Sequence, residues 1–257
     1  MEVLAVKHTL FIFSPTGGTA RVAQALTEPL GGVRETVDLC DRRIDFDAVA
    51  LSPADVAWIA VPSFAGRVPV TAMERLSRIR GGGARAVLVC VYGNRAYDDT
   101  LLELADGAKA AGFRVAAAVA AVARHSILGQ FGAGRPDQQD WDELGAFGEK
   151  IEAALAAASQ EPTLPGSRPY RAGGRGGMVP LPTEQCNRCG VCAGGCPVGA
   201  ISASDPARVD SETCIGCMRC VALCPQKARV VAPEQLAGLA AKLEKACAGR
   251  RENELFL

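Results

Sequence analysis

The sequence predicts an α/β protein in which a doubly wound, five-stranded parallel sheet is followed by a small, cysteine-rich α+β domain. Two observations lead to this prediction. Up to about residue 159, short β-branched or aromatic runs alternate with longer runs of helical periodicity, which is typical of a parallel sheet covered by helices. After a stretch rich in proline and glycine, eight of the 11 cysteines then fall between positions 186 and 224.

The first part of the chain contains five runs with the composition of strands, at residues 9–13, 33–39, 56–61, 86–91 and 113–122. Helical runs lie between and after them, at residues 20–30, 70–79, 97–111 and 138–158. The run at 56–61 is apolar on both faces, as a central strand covered by helices on both sides should be. This pattern fits one doubly wound domain.

Domain boundaries follow from changes in composition. We expect one domain over residues 1–159 and a linker over residues 160–185, where five prolines and five glycines interrupt every periodicity. The cysteine-rich domain then spans residues 186–232. In the tail, residues 233–257, apolar side chains repeat at helical spacing and predict a packing helix: Leu236, Leu239, Leu243 and Cys247.

The composition excludes several classes of protein. With 49% hydrophobic residues the chain of 257 residues is too apolar to be disordered. Its 28 basic side chains balance 28 acidic ones, so no net charge attracts nucleic acid or an anionic membrane. Only the linker arginines Arg168, Arg171 and Arg175 favour nucleic-acid binding, and we expect no nucleic-acid partner.

The sequence also lacks the signals of a membrane or secreted protein. The longest run without a charge or strong breaker, residues 115–123, is far shorter than the ~20 apolar residues that cross a bilayer. The apolar run at 9–13 is too short for the core of a signal peptide. We therefore expect no membrane span and a cytoplasmic protein.

The cysteine-rich domain contains one motif twice: three cysteines at intervals of two residues, then a fourth cysteine after three residues, followed by proline. The first copy consists of Cys186, Cys189, Cys192, Cys196 and Pro197, and the second of Cys214, Cys217, Cys220, Cys224 and Pro225. The segment resembles the two-cluster bacterial ferredoxins over its full length. A structural zinc site is the alternative, but zinc ligands come as two separated pairs.

The ferredoxin resemblance implies two 4Fe-4S clusters with exchanged ligands. One cluster would be held by Cys186, Cys189, Cys192 and Cys224. The other would be held by Cys214, Cys217, Cys220 and Cys196. The segment carries five basic side chains against three acidic ones, and a basic shell favours the reduced state of a negatively charged cluster.

A loop suited to phosphate follows the first predicted strand and opens the first helix: Ser14, Pro15, Thr16, Gly17, Gly18 and Thr19. Unpaired backbone N–H groups and the positive end of the helix dipole attract an anion, and three hydroxyls can add hydrogen bonds. The lysine of a Walker A loop and the G-x-G-x-x-G fingerprint are both absent. Turns of this composition also occur without a ligand, so the loop alone leaves that alternative open.

Two further loops follow the third and fourth predicted strands, over residues 62–69 and 92–97. With the first loop they resemble the phosphate loop and the two ring-flanking loops of flavodoxins, a likeness that covers residues 7–158 and implies bound FMN. On that resemblance the phosphate would be held by Ser14, Thr16, Gly17, Gly18 and Thr19. The ring would lie among Pro62, Ser63, Phe64, Ala65, Gly66, Arg67, Tyr92, Gly93, Asn94 and Tyr97.

The resemblance also implies roles within these loops. Phe64 and Tyr92 or Tyr97 would offer aromatic faces to the ring. The backbone at Ala65 and Gly66 would face the reactive edge of the flavin, where a glycine allows a peptide to reorient.

Outside these motifs the sequence offers one histidine and three isolated cysteines of interest. His125 follows the last predicted strand and could approach the flavin or a substrate; a solvated loop histidine is the alternative. Cys40, Cys90 and Cys247 have no neighbouring histidine or cysteine in sequence, and we expect ordinary buried thiols.

Nearly the whole chain resembles the flavodoxin-ferredoxin fusion proteins of anaerobic bacteria and archaea. The resemblance implies an electron-transfer protein that relays single electrons between two 4Fe-4S clusters and FMN, and to or from a protein partner of the ferredoxin or reductase type. The alternative is a flavin-dependent reductase of a small molecule, with His125, Arg67, Asn94 and Arg95 as polar candidates. The sequence leaves the oligomeric state open, a homodimer included.

Overall fold

The computed structural model describes residues 6–157, 160–173 and 178–257. In the first part of the chain, strands and helices alternate as the sequence predicts. The strands are β1 (Lys7–Ile12), β2 (Val33–Asp38), β3 (Val56–Pro62), β4 (Arg85–Tyr92) and β5 (Arg114–Val122). The helices are α1 (Gly18–Thr27), α2 (Val70–Leu76), α3 (Thr100–Ala110) and α4 (Gln138–Ala156).

The remaining elements are short, apart from one helix in the tail. They are β6 (Leu181–Pro182), α5 (Val191–Gly194), α6 (Arg219–Leu223), β7 (Arg229–Val230), α7 (Pro233–Leu243) and β8 (Glu254–Phe256). No helix in the described part of the chain is long and apolar enough to cross a membrane.

The main sheet has the strand order β2-β1-β3-β4-β5-β8, and its first five strands are parallel. The order 2-1-3-4-5 is that of flavodoxin-like folds, in which ligands bind at the carboxyl ends of the strands. Each face of the sheet is covered by helices. Leu76 and Leu104 pack into the core on the α2 and α3 side, and Leu26 and Leu144 into the core on the α1 and α4 side. The predicted α/β fold is confirmed.

The sheet has a sixth strand, β8, that the sequence pattern does not predict. β8 pairs antiparallel with β5, with Glu254 opposite Ala120. Asn253 holds the strand in place, since its Oδ1 accepts the backbone N–H of Val122 at 2.9 Å and its Nδ2 donates to Asp140 at 3.0 Å. Three residues are too few for a strand periodicity, so only these tertiary contacts define β8.

Some predicted boundaries shift by a few residues. The helix expected at 97–111 begins at Thr100, because Asp98 just before it adopts a left-handed backbone with φ 41°. The helix expected to reach residue 158 ends at Ala156, and residues 158 and 159 lie outside the described part of the chain.

The predicted linker is fixed along the first domain. The Asp99 carboxylate accepts the backbone N–H groups of Ser167 at 2.9 Å and Arg171 at 2.7 Å. Asp106 forms an ion pair with Arg168 at 2.6 Å and also binds the hydroxyl of Tyr170. Residues 174–177 of the predicted linker, with Arg175, lie outside the described residues.

The cysteine-rich domain is a small unit with its own core. β6 and β7 form a two-stranded antiparallel ribbon in which Leu181 lies opposite Val230. Between them, Ala193, Ala200 and Ile201 pack in a buried cluster together with cysteines of both motifs.

Candidate functional site

A cavity of about 480 Å³ lies at the carboxyl ends of β3, β4 and β5. Its first wall consists of loop residues that follow these strands: Ser63, Phe64, Ala65, Gly66, Gly93, Arg95, Ala96, His125, Ser126 and Ile127. Its opposite wall comes from later parts of the chain: Arg171, Met178, Ile215, Gly216, Leu239 and Leu243. This volume is in the range of small-molecule and cofactor sites.

The loop after β3 forms a tight turn at the cavity wall. Phe64 and Arg67 exchange backbone hydrogen bonds of 2.9 and 3.1 Å. Ala65 and Gly66 between them have φ angles of 52° and 83°. A side chain at Gly66 would also collide with Asp98, whose Oδ2 lies 2.2 Å from the position of an added Cβ. Only glycine fits there, because both the backbone conformation and the close approach exclude a Cβ.

Two of the three predicted ring-facing aromatic residues do not line this cavity. Tyr92 donates its hydroxyl hydrogen bond to the Glu252 carbonyl at 3.3 Å, and Tyr97 donates to Glu254 Oε1 at 3.0 Å. Burial raises the pKa of both phenols, that of Tyr92 to about 12. Both tyrosine side chains are therefore hydrogen-bonded to the C-terminal tail. Of the three predicted aromatic residues, Phe64 lines the cavity.

Asn94 also binds the tail instead of lining the cavity. Its Nδ2 donates to the carbonyls of Cys247 and Gly249, each at 2.8 Å, and its Oδ1 accepts the N–H of Arg251 at 3.3 Å. All of the polar atoms of this side chain are thus engaged. The prediction that Asn94 contacts a cofactor or substrate is not supported by this geometry.

Arg67 is directed away from the 480 Å³ cavity. It forms an ion pair with Glu103 at 2.7 Å and donates to the Arg171 carbonyl at 2.6 Å. It lines a neighbouring cavity of about 410 Å³ that shares Phe64 and Ile215 with the first. Pro62 ends β3 and lines neither cavity.

His125 is a half-buried member of the cavity wall. Its Nδ1 accepts the backbone N–H groups of Ile127 at 3.2 Å and Leu128 at 3.1 Å, which places the ring proton on Nε2. Burial, with a smaller contribution from the Arg95 charge, lowers the pKa of the imidazole. A Cβ at Gly93 would lie 2.6 Å from the ring, so this glycine provides the space that His125 occupies.

We expect His125 to make the protein less stable below about pH 6.5. The folded state resists protonation of this imidazole whereas the unfolded state does not, so stability falls as the pH drops from 6.5 through the lowered pKa. His125→Asn supplies an Oδ1 acceptor for the two loop N–H groups and cannot titrate. The thermal midpoint of this variant should fall less than that of the wild type between pH 7.5 and pH 5.5.

The matched control is His8, the other histidine of the chain. Its Nδ1 accepts the indole N–H of Trp58 at 3.1 Å, and burial lowers the pKa of this imidazole as well. His8→Gln should flatten the same pH dependence separately, and the double variant should flatten it further. An unchanged pH dependence in His125→Asn would contradict the lowered pKa of the His125 imidazole in the folded state.

The predicted phosphate loop keeps an open face at the start of α1. Gly17 has φ 92°, and no atom lies within 4 Å of an added Cβ there. The Ser14 hydroxyl accepts the N–H of Ala20 at 3.0 Å, which leaves earlier N–H groups of the turn without a partner inside the helix. Gly18 is packed beside the end of β5, since a Cβ there would lie 3.2 Å from that of Ala123. These features fit a phosphate group.

The eight motif cysteines line two small cavities, four in each. One cavity is lined by Cys186, Cys189, Cys192 and Cys224, and the other by Cys196, Cys214, Cys217 and Cys220. These are the two sets that the ferredoxin resemblance implies. Across residues 6–157, 160–173 and 178–257, no group of three or more His, Cys, Asp or Glu side chains is placed to hold a single metal ion. Four thiols around one space are the ligand set that a cubic 4Fe-4S cluster requires.

Comparison with known proteins identifies this segment. A family model described as 4Fe-4S dicluster domain matches residues 185–228. Ferredoxin-2 of Chlorobaculum tepidum is 42% identical over 50 residues, which make up 17% of this chain and 81% of that protein. The chain therefore belongs to the ferredoxin family. The polyferredoxin protein MvhB of Methanothermus fervidus is 41% identical over 51 residues, and the chain spans only 12% of the length of that relative.

Comparison with solved structures finds similarities of low identity that cover part of this chain. A flavodoxin from the domain Archaea has a TM-score of 0.42 and 15% identity, over 58% of this chain and 99% of that one. The rubredoxin oxygen:oxidoreductase of Desulfovibrio gigas has a TM-score of 0.42 and 16% identity, over 60% of this chain and 37% of that one. The strand order carries the flavodoxin-like assignment. The chain is a flavodoxin-like domain fused to a ferredoxin domain.

Two arginines join the ferredoxin domain to the flavodoxin-like domain. Arg75 on α2 is buried and donates to the Pro197 carbonyl at 2.5 Å. Arg219 on α6 donates to the Ser14 carbonyl at 3.3 Å and pairs with Asp38 at 3.3 Å. The ferredoxin domain is therefore held beside the predicted phosphate loop.

The opposite wall of the 480 Å³ cavity is not predicted by the sequence pattern, and most of it comes from the ferredoxin domain and the tail. Ile215 and Gly216 lie between two motif cysteines, and Leu239 and Leu243 lie on α7. The leucine spacing predicts a packing helix, but no local signal states which surface that helix covers. Because β8 pairs with β5 beyond it, α7 is held across the cavity.

Proposed function

We propose that the protein is an electron-transfer flavo-iron-sulfur protein that binds FMN and two 4Fe-4S clusters. Single electrons pass between the clusters and FMN, and to or from a protein partner. The observation that carries this proposal is the composition of the 480 Å³ cavity. One wall comes from flavodoxin-like loops, and the other includes Ile215 and Gly216, between Cys214 and Cys217.

Several residues would hold FMN in this arrangement. The open turn around Gly17, with the hydroxyls of Thr16 and Thr19, would bind the phosphate. The ring would occupy the cavity beside Phe64, near the turn at Gly66. Bound flavin would supply a centre that exchanges electrons singly or in pairs.

The surrounding residues would control the access of water and protons. Leu239 and Leu243 cover the cavity with apolar surface. His125 presents a neutral imidazole with its proton on Nε2, and Arg95 is held by an ion pair with Asp98. This wall can donate hydrogen bonds, which favour a reduced, more negative ring.

The cysteine sets would give the two clusters different positions. We call the cluster of Cys186, Cys189, Cys192 and Cys224 the first cluster, and the cluster of Cys196, Cys214, Cys217 and Cys220 the second cluster. The second cluster would lie next to the flavin cavity, because Ile215 lines both cavities and Gly216 follows it in the wall of the flavin cavity. The first would lie farther out, since Cys189 is exposed. A redox protein such as a ferredoxin or reductase would then exchange electrons at the first cluster.

Cofactor stoichiometry tests this function. The protein would be purified anaerobically, its flavin extracted, and its iron and sulfide counted. We expect about one FMN and about eight iron atoms per chain, since each cluster contains four. A reductive titration followed by visible and EPR spectra should then show flavin and clusters accepting electrons in the same molecule. About eight iron atoms with no flavin would overturn the flavin part of the proposal.

A second candidate function is a flavin-dependent reductase of a small molecule. The 410 Å³ cavity favours it, because this cavity adjoins Phe64 and carries the charged side chains of Arg67, Glu74 and Glu103. Reduced protein mixed with a panel of small electron acceptors without oxygen distinguishes the two functions. Reoxidation only by a protein acceptor supports the electron-transfer function, and rapid, saturable reoxidation by one small molecule supports the reductase.

A further inference from the structure

We propose that Arg229 raises the reduction potential of the first cluster above that of the second. A single electron added to the pair of clusters would then reside mainly on the first cluster. This inference rests on the proposed function, because it requires both clusters. It concerns a difference between the two halves of the ferredoxin domain that the cysteine pattern does not reveal.

The two motifs are repeats that differ at several positions lining the two cavities, and one of these positions has an aliphatic side chain in one repeat and a buried arginine in the other. Ile201 follows Cys196 at the same distance in sequence as Arg229 follows Cys224. The backbone is equivalent in both, since the intervening Gly199 and Lys227 have left-handed φ angles of 69° and 51°. Ile201 lines the cavity of the second cluster, and Arg229 lines that of the first. An arginine thus replaces an aliphatic side chain at matched positions.

Arg229 is buried and directed at the cysteines of the first cluster. It is 2% exposed, and its Nη2 donates to Cys192 Sγ at 3.3 Å. The guanidinium also donates to the carbonyls of Pro180 and Pro206, and its buried Nε has no hydrogen-bond partner. Within residues 6–157, 160–173 and 178–257, no carboxylate forms an ion pair with it. In this part of the chain, the positive charge of Arg229 is therefore not neutralised by a carboxylate.

The other charges near the two cavities do not cancel this difference. Arg219 lines the cavity of the second cluster, but Asp38 pairs with its guanidinium at 3.3 Å and neutralises the charge. Arg188 lines the cavity of the first cluster and is exposed, so water screens its charge. The pairing of Arg219 leaves the second cluster without a net positive neighbour, and the screened charge of Arg188 does not oppose that of Arg229, so the first cluster keeps more positive charge nearby.

Reduction adds one electron to a cluster and makes it more negative. A buried positive charge and an N–H to sulfur hydrogen bond both stabilise that reduced form, which raises the reduction potential. The second cluster would lie between the flavin cavity and the first cluster, because its cavity shares Ile215 with the flavin cavity and that of the first cluster shares no residue with it. Electrons leaving the flavin would therefore collect on the first cluster, near the exposed Cys189. The chain is thus built to deliver electrons outward to its partner.

An anaerobic redox titration followed by EPR tests the order of the two clusters. The variants are Arg229→Ile, which copies the residue of the other repeat, and Arg229→Lys, which keeps the charge. Arg208→Gln is the control, because Arg208 is an exposed arginine of the same domain that lines neither cavity. In the wild type we expect one electron to prefer the first cluster at least tenfold, a separation of about 59 mV for a one-electron couple.

In Arg229→Ile this preference should fall at least tenfold, whereas Arg229→Lys and Arg208→Gln should retain most of it. An unchanged preference in Arg229→Ile, or a shift confined to the second cluster, would overturn the inference. If Arg229→Ile does not retain iron, the reduction potentials of the single-cluster variants Cys196→Ser and Cys224→Ser are compared to test the order of the two clusters. The cluster left in Cys196→Ser should be reduced at the higher potential, and the reverse order would refute the inference.

The same measurements separate this inference from the proposed function. A wild-type protein with no iron-sulfur clusters would contradict the function itself. A protein with about eight iron atoms per chain whose two clusters have equal or reversed potentials would contradict only the role of Arg229.

Discussion

Cys196→Ser is expected to remove the second cluster, although Cys196 belongs to the first motif. Its side chain lines the cavity of Cys214, Cys217 and Cys220, not that of the cysteines nearest to it in sequence. Iron content should fall from about eight to about four atoms per chain. The change should be large, because a cluster with three protein thiolates loses a corner ligand.

Spectral matching identifies which cluster is lost. The EPR spectrum of Cys196→Ser should match that of Cys214→Ser and differ from that of Cys186→Ser. Cys224→Ser should in turn match Cys186→Ser, since both residues line the other cavity. Cys90→Ala is the control, because this fully buried thiol lies on β4 and should leave the iron content unchanged. A match between Cys196→Ser and Cys186→Ser would contradict the exchange of ligands.

The elements that were predicted correctly have strong local signals. β3 was predicted because its apolar run allows no exposed face, and its side chains from Val56 to Val61 are buried. α4 begins as predicted because Asp137 and Asp140 form a capping box at its first turn. β8 was missed because it depends on Asn253 binding Val122 and Asp140, contacts that no local pattern encodes.

In the functional site, too, some features have a local signal in the sequence and others depend on tertiary contacts. The cysteine motif is local in sequence, and the structure groups its cysteines around two cavities in the two sets that the ferredoxin resemblance implies; their role as cluster ligands stays a prediction. Phe64 and Gly66 line the cavity because the ends of neighbouring parallel strands meet at one edge, and their contact with a flavin stays a prediction. Tyr92 and Asn94 do not line it, because the tail competes for their polar atoms. The placement of one domain on another is a property of the folded chain, and no single segment predicts it.

Asp140→Ala is expected to lower the free energy of unfolding by about 3–5 kcal/mol, because it leaves a buried arginine without its partner. Asp140 and Arg135 are 0% and 5% exposed, and Arg135 Nε donates to Asp140 at 2.8 Å. Asp140 also accepts hydrogen bonds from Asn253 at 3.0 Å and Arg250 at 3.1 Å. Urea unfolding of the anaerobic protein measures the change. Asp142→Ala, on the exposed face of the same helix, should stay within about 0.5 kcal/mol of the wild type.

The effect of Asp140→Ala should also depend on pH. Burial is the largest single effect and opposes ionisation of this carboxyl, but the hydrogen bonds from Arg135, the Asp137 backbone and Asn253, with the Arg135 charge, together outweigh burial and lower the pKa below its ordinary value. The ionised carboxylate therefore contributes its stability fully above about pH 4, and this contribution is lost as the pH falls through the lowered pKa. The difference between wild type and Asp140→Ala should shrink on acidification. A difference that stays constant with pH would show that Asp140 stabilises the protein by packing alone.

The same substitution should loosen the tail, because Asp140 connects α4 to the segment that leads into β8. Limited proteolysis should cut residues 244–257 faster in Asp140→Ala than in Asp142→Ala. Since Leu239 and Leu243 precede this segment and cover the cavity, flavin should also dissociate faster from Asp140→Ala. Faster proteolysis with unchanged flavin release would mean that α7 stays in place without β8. Equal changes in both would identify the tail as the element that closes the flavin site against the ferredoxin domain.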